Sequence, residues 1–331
     1  MQPQAVIPPK KSSQKRRLFG WLLTIALLSV VFWQRLNIID WWLLRGYEPP
    51  VEVVALATDT TMTSQARKLF YINRPEVQEK AAFYQSCEDG ETSVVLGCYK
   101  PPRGIFLLQV SDERLAGVEE VTAAHEMLHA AYDRLSDKER QRIGTLVRLT
   151  YKGLEGTPIG EKIALYEEAG ADTTNELHSI LGTEVANLPA ELEAHYAQYF
   201  SKRAAVVAFS DQYQAVFTAR KQRVADLDKQ LEDIEKQVAD NNASLLSQEA
   251  AIKAESARLD VLLRNDQIGE YNQGVAAYNQ SLVPYRSLLN QTRSLIAQYK
   301  TILDERNAVA LEAQALGRAL DSSIQTSVEE R

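Results

Sequence analysis

A seven-residue apolar repeat runs through much of residues 209–331 and leaves that part of the chain few alternatives to long helices. Val224, Leu231, Val238, Leu245, Ile252 and Leu259 recur at every seventh position, and Leu227, Ile234 and Leu262 follow three residues after members of that series. Asn241, Gln248 and Glu255 occupy the same second column between them. A second series runs through Leu288, Leu295, Ile302, Val309 and Leu316, with Tyr271, Tyr278, Tyr285 and Tyr299 on its partner column. The two series are separated by RNDQIGEYNQG, which holds Gly269 and Gly274. Two heptad segments around a glycine-containing break predict an antiparallel helical hairpin, or two stacked segments of a longer coil. The polar middle of the first seam would make a weak dimer alone, and the Tyr/Leu face of the second segment would cover it better. The stripe reads as helix–helix core, with a protein partner or self-association as the other use of such a coil.

The other end of the chain is equally biased. From Met1 to Ile39 there is no acidic residue, while Lys10, Lys11, Lys15, Arg16, Arg17 and Arg35 are all present. Residues 1–17 read as a disordered basic tail. Directly after it comes LFGWLLTIALLSVVFW, residues 18–33, without a charge. A bilayer span takes about 20 residues, and this run reaches that length if Arg35 snorkels toward the headgroups. Trp33, Trp41 and Trp42 suit the far interface. No small-x-small cleavage site follows the run, so the expectation is an uncleaved transmembrane signal anchor over residues 18–45. The basic flank would stay cytoplasmic and the remainder would lie outside the cytoplasm.

The body of the chain, residues 46–208, has mixed composition. VEVVALAT after Pro49-Pro50 predicts a strand, as does GIFLLQV after Pro101-Pro102. SQARKLFYINRPEVQEKAAFYQSC predicts helix on both sides of Pro75, and further helices are expected over about 136–152, 160–182 and 189–208. This gives an α+β, mostly helical domain with few strands. The formal net charge of −7 and the lack of a basic stripe with interleaved aromatics argue against nucleic-acid binding. Cys87 and Cys98, in a turn-rich segment, fit a disulfide outside the cytoplasm; metal ligation is disfavoured because ten intervening residues do not match a zinc knuckle.

The chemistry concentrates in VTAAHEMLHAAYDRLS. Two of the chain's four histidines, His125 and His129, stand four residues apart with Glu126 directly after the first. On a helix, positions i and i+4 share a face, so both imidazoles can aim at one ion, with Glu126 beside that face. Two ligating nitrogens and a carboxylate that deprotonates a water make the HExxH arrangement of a zinc hydrolase. A third protein ligand must come from elsewhere, because Tyr132 and Leu135 stand where a longer HExxHxxGxxH motif would place Gly and His. The best stretch is DTTNELHSILGTE, which carries Glu176, His178 and Glu184; Glu167, Glu168, Asp172 and His195 are further candidates. Asp172, if not a ligand, could orient one of the ligating imidazoles.

His125-Glu126-Met127-Leu128-His129 with Asn175-Glu176 downstream resembles the gluzincins, the thermolysin-like and related zinc peptidases. The resemblance covers only these few residues. It implies a zincin-like fold, Zn2+ as cofactor, His125, His129 and Glu176 as metal ligands, and Glu126 as the catalytic base. The gap from His129 to Glu176 is longer than in thermolysin, and Ile180 stands where that group has an aspartate. In zincins a strand such as GIFLLQV commonly lines the cleft as an edge strand and pairs with the substrate backbone.

The expectation is therefore a single-pass, membrane-anchored zinc metalloendopeptidase acting on extracytoplasmic protein or peptide substrates, with a coiled-coil arm over residues 209–331. The alternative is a catalytically inactive, zinc-stabilised coiled-coil scaffold or partner-binding protein of the cell envelope.

Overall fold

The structure is a computed structural model that describes residues 19, 21–22, 24, 34–35, 37–87, 95–102, 104–154, 156–157, 159–161, 163–164 and 173–321. The described residues form two compact units. The first comprises residues up to 109 together with 119–208, and the second comprises 110–118 with 209–321.

In the first unit, Pro50 precedes α1, Val51–Asp59, and Val53, Leu56 and Ala57 are its buried residues. That spacing of three and one is helical. The segment is therefore not the strand that its β-branched residues predict. A strand would bury alternate positions, whereas Val51 is 84% exposed and packing along one helical face overrides β propensity. Helix α2, Ser64–Ile72, starts where the Thr63 hydroxyl accepts from the Ala66 N–H. Beyond Pro75 the chain first forms a short strand β1, Glu76–Gln78, and only then α3, Lys80–Cys87.

Strands β2, Gly97–Lys100, and β3, Gly104–Leu108, complete a three-stranded sheet of order β1-β3-β2. β1 runs parallel to β3 with Glu76 opposite Phe106, and β2 runs antiparallel with Cys98 opposite Phe106. A disulfide joins Cys87 at the end of α3 to Cys98 in β2. GIFLLQV is thus a strand, but it is the central one. Both its edges are occupied and four of its five residues are buried, so among the described residues the edge strand beside the site is β2 and not β3.

Helix α4, Val118–Asp133, carries HEMLH through the core: from Val121 to Tyr132 only His125 is not buried. Helix α5, Asp137–Tyr151, is capped by the Ser136 hydroxyl accepting from the Glu139 N–H. After residues 159–161 and 163–164, which are helical, α6 spans Thr173–Glu184; the intervening part of the expected 160–182 helix lies outside the described residues. The helix expected over 189–208 is interrupted. α7 covers only Ala190–Tyr196, because residues 199–201 leave the helix to pair with 61–63: Thr63 N–H donates to the Tyr199 carbonyl and Ser201 N–H to the Thr61 carbonyl.

The long helix α8, Arg203–Arg264, begins in the first unit and continues into the second. There it pairs with α9, Ile268–Leu320. Cross-helix contacts match Arg220 to Glu312, Arg223 to Glu305 and Glu235 to Tyr299. Rising numbers on one helix meet falling numbers on the other, so the pair is an antiparallel hairpin. Leu227, Leu231, Ile234, Leu245, Leu259 and Leu262 are buried along its seam. The turn falls at residues 265–267, with Asp266 at φ 55°, and not at the glycines. Gly274 instead lies inside α9, where a Cβ would stand 2.5 Å from Leu259 Cδ2. A glycine there lets the two helices approach.

Among the described residues no helix is long and apolar enough to cross a membrane. The uncharged run of the expected anchor, residues 18–33, falls largely on residues outside the described set.

Candidate metal centre

The site forms where the N-terminal turn of α6 meets the middle of α4. The docking of these helices is set by Gly182, whose position would put a Cβ 2.4 Å from Leu128 Cδ1 and 2.8 Å from Tyr196 Cε1. A side chain at this position would force Leu128 and Tyr196 to shift. The far end of α6 is held by Arg203, 7% exposed, which donates to the carbonyls of Val185 at 2.7 Å and Ala186 at 2.9 Å. A cation there satisfies orphan carbonyls at a helix C-terminus.

With α6 fixed, Glu176 in its first turn faces both imidazoles. His125 Nε2 lies 3.5 Å from one Glu176 carboxylate oxygen and His129 Nε2 lies 3.4 Å from the other. The two rings are 4.7 Å apart and inclined by 73°. One donor atom from each of His125, His129 and Glu176 can be chosen so that all three fall within 4.8 Å of one another. Nitrogen and carboxylate donors in a three-member, partly buried group fit a divalent cation with an open position. His129 Nδ1 lies 3.0 Å from Asn175 Oδ1. The amide oxygen is an acceptor, so Nδ1 carries the proton and the Nε2 lone pair is left for a cation, the usual outer support of a ligating histidine.

Glu126 is 5% exposed and is not one of the three converging groups. Strand β2 passes over it. A Cβ at Gly97 would stand 2.5 Å from Thr122 Cγ2, 2.9 Å from Glu126 Cγ and 3.0 Å from Glu126 Oε1. The edge strand and the carboxylate therefore pack directly against each other at Gly97.

The remaining sequence candidates fall elsewhere. His178, fully buried on α6, pairs its Nε2 with His195 Nε2 at 2.9 Å and stacks near Tyr132 and Tyr196. Burial, and after it the proximity of His195, His129 and His125, holds His178 well below the usual imidazole range. Burial, followed by the charge of Arg142, takes His195 down to about 4. Both rings are neutral structural groups at pH 7. Tyr196 donates its hydroxyl proton to the His178 carbonyl at 2.7 Å. Glu184 is buried at the far end of α6, away from the three donors. Glu167, Glu168 and Asp172 lie outside the described residues.

Sequence reasoning did not assign Asn175 its role as the support of His129, although it stands directly before the favoured glutamate. It also gave no role to Gly97, whose only sequence signal is a glycine entering a strand.

The arrangement is that of a mostly helical protein with a small mixed sheet, a long helical hairpin and a His/His/Glu group able to hold a metal ion. No family model matches the sequence, no curated protein is significantly similar to it, and no solved structure matches the fold.

Proposed function

We propose that this protein is a membrane-anchored zinc metalloendopeptidase whose domain lies outside the cytoplasm. The observation that carries the reading is the convergence of His125, His129 and Glu176 next to a buried carboxylate one residue along the same helix. Zinc bound there would supply a Lewis acid and a water acidified toward neutral pH. In this reading His125, His129 and Glu176 hold the ion, and Asn175 fixes the tautomer of His129. Glu126 takes the proton from the attacking water and passes it to the leaving amine of the peptide. Its burial beneath Gly97 keeps the carboxylate out of bulk water and in a fixed rotamer.

A purely structural zinc is less well supported. The helices that carry the donors are already docked by metal-independent contacts, through Gly182 with Leu128 and through the Tyr132 ring against the His178 ring at 5.2 Å. The membrane anchor rests on the uncharged run of residues 18–33 behind a basic flank, and the Cys87–Cys98 disulfide suits an oxidising compartment.

The test is proteolysis of casein by the purified full chain, wild type beside Glu126→Gln. Metal-dependent cleavage that disappears in the variant while the metal is retained is the expected result. Equal cleavage by both proteins, or none by the metal-loaded wild type, would refute the peptidase reading and leave the anchored scaffold.

A further inference from the structure

Residues 37–44 are helical and have two unlike faces. The inner face is Asn37, Asp40 and Leu44, at helical spacing. Asp40 is 3% exposed although it is a carboxylate. Arg134, the residue directly after α4, reaches its two oxygens at 2.8 and 2.9 Å, and Lys68 of α2 reaches it at 2.9 Å. Lys68 also donates to Asn37 Oδ1 at 3.3 Å, and Leu44 packs against the hydrophobic core. The segment is therefore part of the first unit, tied to the end of the helix that carries His125 and His129.

The outer face is apolar and exposed. Ile38, Ile39, Trp41, Trp42 and Leu43 are 48, 51, 60, 71 and 38% exposed. Five large apolar side chains on eight helical residues are more than a surface in water ordinarily shows. Basic residues flank them: Arg35 and Arg45 are exposed, and the Arg45 guanidinium lies 5.4 Å over the Trp41 ring. Tryptophan paired with arginine is the composition of the headgroup zone of a bilayer, where an indole buries its ring and keeps its N–H wet. The chain that leads into this helix contains the uncharged run of residues 18–33, and Phe19, Trp21 and Leu22 within it are 60–70% exposed.

We propose that the outer face of residues 37–44 is a lipid-docking surface that lies in the headgroup region of the bilayer, and that the Asp40–Arg134–Lys68 clamp transmits this attachment rigidly to the end of α4. The surface is an amphipathic contact in the membrane plane, additional to any spanning segment. It holds the first unit against the bilayer at a fixed height. Nothing in it rests on the metal centre, so its failure and that of the peptidase reading are separable.

The experiment uses the full chain with Trp21→Phe and Trp33→Phe, which leaves Trp41 and Trp42 as the only tryptophans. It is reconstituted into phosphatidylcholine vesicles that are plain, brominated just below the headgroup, or brominated near the acyl-chain ends. Fluorescence quenched most by the shallow bromines is the expected result. Strongest quenching by the deep bromines would overturn the proposal, placing the helix inside a span. Equal emission in all three vesicles would overturn it too, whether the indoles face water or a second copy of the chain. Asp40→Asn then tests the clamp. Shallow quenching should persist while the amides of residues 37–44 exchange about tenfold faster or more, as local opening becomes easier. Unchanged exchange would refute the clamp.

Discussion

With Glu126 as the base proposed above, replacing Gly97 by alanine should separate metal binding from catalysis. The new Cβ would meet Thr122 Cγ2 at 2.5 Å and Glu126 at 2.9 and 3.0 Å. Carbon atoms pack at about 3.5–4.0 Å, so the overlap is on the order of 1 Å and either β2 or the Glu126 side chain must move. Overpacking of this kind costs about 1–3 kcal/mol, which lowers the melting temperature by about 2–4 °C per kcal/mol for a unit of this size. Displacing a catalytic carboxylate by about 1 Å costs on the order of 100-fold in rate. The atoms nearest the new Cβ belong to Thr122 and Glu126 and not to His125, His129 or Glu176, so metal content should be unchanged. Pairing the substitution with Thr122→Ser deletes the methyl at 2.5 Å and leaves the two Glu126 contacts. The double variant should recover part of the stability but not the activity. Thermal unfolding, metal analysis and casein hydrolysis on the three proteins read this directly. Full activity in Gly97→Ala, or activity restored together with stability in the double variant, would refute the claim that β2 positions Glu126.

Other consequences follow from the same geometry. Asn175→Ala removes the acceptor for His129 Nδ1–H and should weaken metal binding about 10–100-fold, measured by competition with a chelating dye; an unchanged affinity would contradict the assigned tautomer. His195 is depressed to about 4 from an ordinary value near 6.5. Between those values the unfolded chain binds the proton and the folded chain does not, so stability is full above about pH 6.5 and falls with pH until about 4, a loss of about 3 kcal/mol from this group. Urea unfolding between pH 7 and 4 checks it, and His195→Gln should reduce the slope, leaving the part that comes from buried His178. Asn241 Nδ2 and Gln248 Oε1 are buried in the hairpin with no hydrogen-bond partner among the described residues. Asn241→Leu should therefore stabilise the hairpin by about 1–3 kcal/mol, seen by denaturant unfolding monitored by helical circular dichroism. Destabilisation would mean that the polar seam is satisfied in solution.

Long-period patterns were the most legible part of the sequence. The heptads of residues 209–331 predicted the helical hairpin because a repeat sustained over many turns averages out local accidents. They missed the turn, since Gly274 marks a close helix approach, Gly269 lies in the first turn of α9, and the chain reverses at Asn265-Asp266-Gln267. Short apolar runs misled. VEVVALAT has strand residues, yet its burial follows a helical face, a choice made by the tertiary contacts of Val53, Leu56 and Ala57. GIFLLQV was recognised as a strand, but neighbours in a sheet come from elsewhere in the chain, so its central position could not be read. At the site, the i, i+4 histidines were evident from helix geometry alone. Glu176 was one of several acidic or imidazole candidates until Gly182 and Arg203 fixed how α6 lies on α4. Asp40 gave no sequence signal, because its partners Lys68 and Arg134 are 28 and 94 residues away.

The most direct test of the metal centre is X-ray absorption at the zinc edge on the purified full chain, wild type beside His129→Ala and Glu176→Ala. One zinc per wild-type chain, with two imidazole nitrogens and a carboxylate in its shell, and loss of that signal in both variants, is the predicted result. A metal-free wild type, or a bound zinc whose shell is unchanged when Glu176 is removed, would contradict it.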